Sequence, residues 1–247
     1  MTTDLKKSPI KGIAGGLALT AGATLLLEMS LTRIFSITMW YHYAFMAISI
    51  ALFGLSFGAV LVYVKPAWFT REKTSERLTQ LSLTYMVAIL LCFWLHLQIP
   101  FTPTFTFVGV GSVVLSFMLV AVPFLISGVI VCLSLTRFTE NIGRIYAFDL
   151  AGAAAGSILL PLLVRPLTGP GVVLTSAFLA ALAALFYSSS ASGKLRKIAV
   201  ASLVITLLLV MQQPFARFFE IKWVKNVWGL PYSERVIKAP DVEMWNE

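Results

Sequence analysis

The sequence predicts an all-α fold: a polytopic transmembrane bundle of about seven spans, followed by a short extramembrane C-terminal segment. Three observations predict it. Hydrophobic residues make up 58% of the 247 residues and charged residues only 12%, with a mean hydropathy of +0.87, where a soluble domain carries about 25% charge. The apolar residues come in unbroken runs without two-residue alternation, which selects helices and excludes a membrane barrel. The net charge of +8 is gathered into short Lys/Arg clusters between those runs, the pattern of loops that fix topology and not of a surface that binds nucleic acid.

The predicted spans cover residues 12–34, 40–64, 79–99, 107–135, 145–164, 170–188 and 198–213. The first follows Lys6, Lys7 and Lys11 as a signal peptide would, but it exceeds the 7 to 15 apolar residues of a signal h-region and is read as an uncleaved helix. Lys65-Pro66, Pro100, Pro103, Asn141 to Gly143, Gly169-Pro170-Gly171, and Ser188 to Gly193 punctuate the connections. Spans 145–164 and 170–188 lie close enough to form a tight helical hairpin. No internal repeat is visible.

Orientation follows from the loops. Three cations precede the first span, four lie between the second and third (Lys65, Arg71, Lys73, Arg77), two before the fifth (Arg137, Arg144) and three before the seventh (Lys194, Arg196, Lys197). The intervening segments hold only Arg33 and Arg165. The richer set is expected in the cytoplasm with the N-terminus, which suits a bacterial inner membrane. Residues 1–213 form the membrane domain. Residues 214–247, with five basic and five acidic residues and three tryptophans, read as the start of a soluble unit. Seven crossings place that tail outside, while Arg217, Lys222 and Lys225 favour the inside.

Motifs of small residues one helical turn apart, Gly54/Gly58 and Gly152/Gly156, allow close backbone approach, either within one bundle or at a dimer face. Ionisable residues at membrane depth are expensive and are functional candidates. Glu28, Arg33, His42, His96 and Arg165 fall at the outer level, and Asp149 near the cytoplasmic end of the fifth span. Glu28 and Arg33, five apart, occupy different helix faces, so Glu28 is expected to meet Arg165 or His42. The alternative is that Arg33, His42 and Arg165 lie at the headgroup boundary. For Asp149 the structural reading is an ion pair with Arg137 or Arg144, or a favourable place near a helix N-terminus. Trp40, Tyr41 and Tyr43, and Trp68 with Phe69, are expected as interfacial anchors. Cys92 and Cys132 sit at different depths, about 15 Å apart, and are read as small hydrophobes without a disulfide. No phosphate loop, His-Glu-x-x-His, Cys-x-x-Cys or nucleophile elbow is present, so no catalytic residue, cofactor or metal site is assigned.

Three segments together carry a resemblance: Leu27 to Ser36, Gly54 to Gly58, and Arg144 to Gly156. They resemble the membrane domain of bacterial membrane-bound spermidine synthase-like proteins, in which a helical membrane domain precedes a Rossmann-type aminopropyltransferase or methyltransferase domain. Trp245-Asn246 looks like the start of the Trp-Asn-x-x-Ser-Arg segment that opens that soluble domain. The resemblance implies a non-catalytic membrane domain that anchors or serves a soluble domain, and assigns Glu28, Arg33, Asp149 and the two glycine pairs a role within the membrane. It also implies a cytosolic tail, against the count of crossings. Two readings of other classes remain: a small-molecule carrier or channel lined by Glu28, Arg33, His42 and Arg165, and an accessory subunit of a larger membrane complex. The lipid bilayer is the one partner that composition itself demands.

Overall fold

In a medium without water every backbone amide and carbonyl must find its partner inside the protein, and a helix does this within its own segment. The computed structural model, which describes residues 8–39, 41–68, 74–99, 106–213, 219 and 221, is helical throughout, with no strand among the described residues. The principal helices are α1 (Ser8–Thr38), α2 (Tyr41–Val64), α3 (Thr74–Gln98), α4 (Phe107–Arg137), α5 (Ile142–Tyr187) and α6 (Gly193–Gln212). All six are long and apolar enough to cross a bilayer, and the chain is a multi-pass membrane protein. Their outward faces carry large apolar side chains such as Leu52, Phe53, Val114, Ile158, Leu162 and Leu208, all exposed, a surface that only lipid or another protein can cover.

The helices overrun the predicted spans at several ends. Helix α3 begins at Thr74, five residues before its apolar stretch, and α6 at Gly193. The hydrophobic run marks the part of a helix in hydrocarbon, whereas the backbone keeps its helical bonds through the polar interface until a cap or breaker ends it. Thr106 is such a cap: its extended backbone starts α4, and its hydroxyl accepts a hydrogen bond from the Gly109 amide at 3.2 Å.

Where two spans were expected between residues 145 and 188, the chain forms one element, α5, interrupted at Thr168 (φ 59°, ψ 175°). That conformation is nearly glycine-only and breaks the helix, and Pro166, Gly169 and Pro170 surround it. Gly152 lies against Ala18, and Tyr187 lies against Gly16. A straight helix would hold Gly152 and Tyr187 about 52 Å apart, so α5 folds back at Thr168, and both of its arms line α1 at one level.

The bundle is centred on α1, which packs along both arms of α5 and also meets α2 and α4. Helices α2 and α3 flank α4, and α6 lies against α5. One apolar core runs through all of this, with Leu26, Ile34, Phe35, Ile89, Phe124, Ile130 and Val172 fully enclosed. Both cysteines are free. Beyond α6, Phe219 is buried and stacks on Phe93 of α3, with ring centroids 6.1 Å apart. The anchors Trp40 and Phe69, the basic residues Lys6, Lys7, Arg71 and Lys73, and the remainder of the tail, including Arg217, Lys222, Lys225 and Trp245-Asn246, lie outside the described residues.

Candidate functional site

Helix α1 presents a stripe of small and hydroxylated residues. Gly16, Thr20 and Thr24 recur every four residues and so share one face. Each threonine donates its proton to the carbonyl one turn back, Thr20 to Gly16 at 2.9 Å and Thr24 to Thr20 at 2.8 Å. With that proton committed, a hydroxyl retains two acceptor positions. Thr24 fills both, from Tyr85 of α3 at 3.1 Å and Ser127 of α4 at 2.6 Å. Thr20 accepts from the hydroxyl of Tyr187, at the far end of α5, at 3.4 Å. All of these side chains are buried.

Two further bonds fasten α3 to the returning arm of α5. Ser82 donates to the Ala180 carbonyl at 2.8 Å, and Ser75 to the Tyr187 carbonyl at 2.5 Å. Ser134 of α4 lies near the Tyr187 hydroxyl, with Asp149 within electrostatic reach. Four helices thus meet at a ladder of hydroxyl groups in the middle of an apolar bundle.

The glycine pairs lie beside this ladder. A side chain added at Gly152 would collide with the backbone of Ala18, and one at Gly156 with that of Gly22. Gly54, Gly58 and Gly128 bring α2 and α4 together in the same way, through Ala121, Leu125 and Leu55. All four predicted glycines therefore pack within the bundle. On α1 the partners of Gly152 and Gly156 are Ala18 and Gly22, whose Ala18-x-x-x-Gly22 spacing is the same signal in the sequence, while Gly12, Gly15 and Gly16 meet Ser189, Phe186 and Tyr187. The sequence signal of the hydroxyl ladder is two threonines, Thr20 and Thr24, one turn apart inside a span.

The ionisable candidates are dispersed. Glu28 is half-buried on α1, and its carboxylate makes no hydrogen bond or ion pair among the described residues. The expected pairing of Glu28 with Arg165 or His42 is therefore not formed. Arg165 is exposed just before the α5 break, and His42 is exposed at the start of α2 with its ring against Tyr43 at 4.6 Å. Arg33 is half-buried five residues beyond Glu28. His96 is buried and packs on Phe35 at 5.1 Å, in an aromatic group completed by Phe117 and Tyr43. Asp149 is half-buried within electrostatic reach of Tyr187 and forms no ion pair with Arg137 or Arg144 among the described residues. Because α5 starts at Ile142, Asp149 sits two turns inside it, past the first turn where the helix dipole is felt.

No group of three or more His, Cys, Asp and Glu side chains capable of holding a metal occurs among the described residues. The hydroxyl ladder holds helices at a fixed register, and its chemistry is hydrogen bonding. Comparison of the chain with models of protein families, with curated proteins and with solved structures finds no match.

Proposed function

We propose that the chain is the membrane domain of a spermidine synthase-like protein of a bacterial inner membrane, a non-catalytic bundle that anchors or serves a soluble domain and crosses the bilayer seven times from a cytoplasmic N-terminus. The observation that carries this reading is the fold of α5: its arms return along α1 and are locked there by glycine contacts and by the hydroxyls of Thr20 and Tyr187. Each arm, 142–167 and 169–187, is then long enough for a crossing of its own. Of the segments that carry the family resemblance, Gly54 to Gly58 and Arg144 to Gly156 supply packed seams through their glycines, the first against α4 and the second against Ala18 and Gly22 of α1.

A carrier lined by Glu28, Arg33, His42 and Arg165 is less well supported, because His42 and Arg165 are exposed and neither pairs with Glu28. A docking face for another subunit built on a glycine pair is likewise less well supported, since both pairs are occupied inside the bundle.

Single cysteines placed at Ser192 and Gln213 of a chain lacking Cys92 and Cys132, labelled in intact cells with an impermeant maleimide, test the crossings. Seven crossings from a cytoplasmic N-terminus leave Ser192→Cys protected and Gln213→Cys labelled; the opposite result overturns that topology. It would also place the chain after α6 in the cytosol, where a nucleoside-dependent domain belongs. The domain assignment has its own test, calorimetry on the purified chain, in which heat of binding with S-adenosyl nucleosides would refute a non-catalytic role.

A further inference from the structure

Helices α2 and α3 both pack on α4 but hardly touch one another. Two walls that share a floor and stay apart leave a groove, and here it has a volume of about 570 Å³. Leu125 and Val129 of α4 form its floor, and Leu61 of α2 and Leu81 of α3 its sides. One end is polar: Trp68, Arg77 and Gln80 stand at its mouth, all exposed, with the Arg77 guanidinium donating to the Gln80 side-chain oxygen at 3.3 Å. Lys65 adds a second cation there, its ammonium 5.9 Å from the Trp68 ring. From Arg77 to Thr84, another lining residue, α3 rises about 10 Å, so the groove runs from the cationic rim into hydrocarbon depth.

An apolar channel with two cations and an indole at one end matches the two halves of a phospholipid. We propose that this groove is a binding site for an anionic glycerophospholipid, with an acyl chain laid between α2 and α3 on α4 and the phosphate held at Arg77 and Lys65. Charge complementarity selects the occupant: a basic rim at the membrane surface attracts anionic headgroups, and Trp68 sits at the headgroup level that tryptophan favours. A soluble anion would use the rim and leave the groove empty, whereas a zwitterionic lipid would use the groove and gain little from the rim. The site rests on the membrane reading and is independent of the number of crossings and of the family resemblance.

Native mass spectrometry of the detergent-released protein, offered phosphatidylglycerol and phosphatidylcholine of identical chains in equal amounts, tests it. Phosphatidylglycerol should be retained preferentially, and Arg77→Gln should reduce that retention about fivefold. Thr84→Trp, an exposed change that fills the groove, should remove the retained lipid, while phosphatidylcholine retention should be unmoved by Arg77→Gln. Equal retention of the two lipids, or phosphatidylglycerol retention unchanged in both variants, overturns the proposal. Displacement of the lipid by glycerol 3-phosphate alone would also overturn it, by showing that the rim binds a free phosphate and the groove contributes nothing. Both variants lie on exposed positions, and the elution volume of each on size exclusion confirms that it is folded.

Discussion

Helices α1 and α2 follow one another in the chain and meet different surroundings. Of the apolar stretch of α1, 61% is buried inside the protein, against 28% for α2. Yet α1 is the less apolar of the two, with a mean hydropathy of 1.4 against 2.3. In a soluble protein the order would be reversed. Lipid tails are as apolar as leucine, so burying a leucine between helices brings little gain, and helices associate through close packing and hydrogen bonds. Helix α1 therefore carries Gly12, Gly15, Gly16, Gly22, Thr20 and Thr24 where it meets α5, α3 and α4, while α2 turns Phe45, Leu52, Phe53 and Val60 to the outside.

The comparison can be broken most decisively at the α1–α5 seam. Gly152→Leu must displace the backbone of Ala18, and a backbone held by its own helical bonds yields poorly. The expected cost is about 3 kcal/mol or more, read as a large fall in the unfolding midpoint in detergent. Gly111→Leu on α4 meets open space and should change stability by less than about 0.5 kcal/mol. Equal effects at the two sites would remove the distinction between seam and surface.

The hydroxyl ladder comes next in size. Thr24→Val keeps the shape of the side chain but leaves Tyr85 and Ser127 without their shared acceptor, a loss of about 1 to 2 kcal/mol. Thr24→Ser should restore most of it, and failure of that rescue would mean that the methyl group, not the hydroxyl, matters there.

Thr168→Gly tests the α5 break with the opposite sign. Glycine relieves the positive φ at some cost in unfolded-state entropy, for a net gain of about 1 kcal/mol, seen as a raised unfolding midpoint. A fall would mean that Thr168 is not strained. The smallest effect belongs to α6, of whose apolar stretch only 17% is buried: Leu208→Ala, at an exposed position, should stay within about 0.5 kcal/mol in the same assay.

Much of this architecture could be read from the residues. The membrane class, the helical backbone and the break near Gly169-Pro170-Gly171 follow from run lengths and from the Pro/Gly cluster, because these are local demands of the chain and its solvent. The glycine pairs were visible too, as spacing. Their partners were not singled out, because a small residue in a span reads the same whether it meets lipid or another backbone. The expected pairing of Glu28 with Arg165 or His42 rests on matching depth. Equal depth fixes only one coordinate, and the side chains point to different surroundings around the bundle.

By itself the sequence determined that this chain lives in lipid and that its segments are helices, since both follow from the cost of exposing apolar side chains to water and unpaired backbone to hydrocarbon. Tertiary structure decided which faces meet. Thr24 lies 61 residues from Tyr85 and 103 from Ser127, and Gly22 meets Gly156 across most of the chain. Contacts of that kind depend on the rotation and order of helices about one another, which no run of apolar residues specifies.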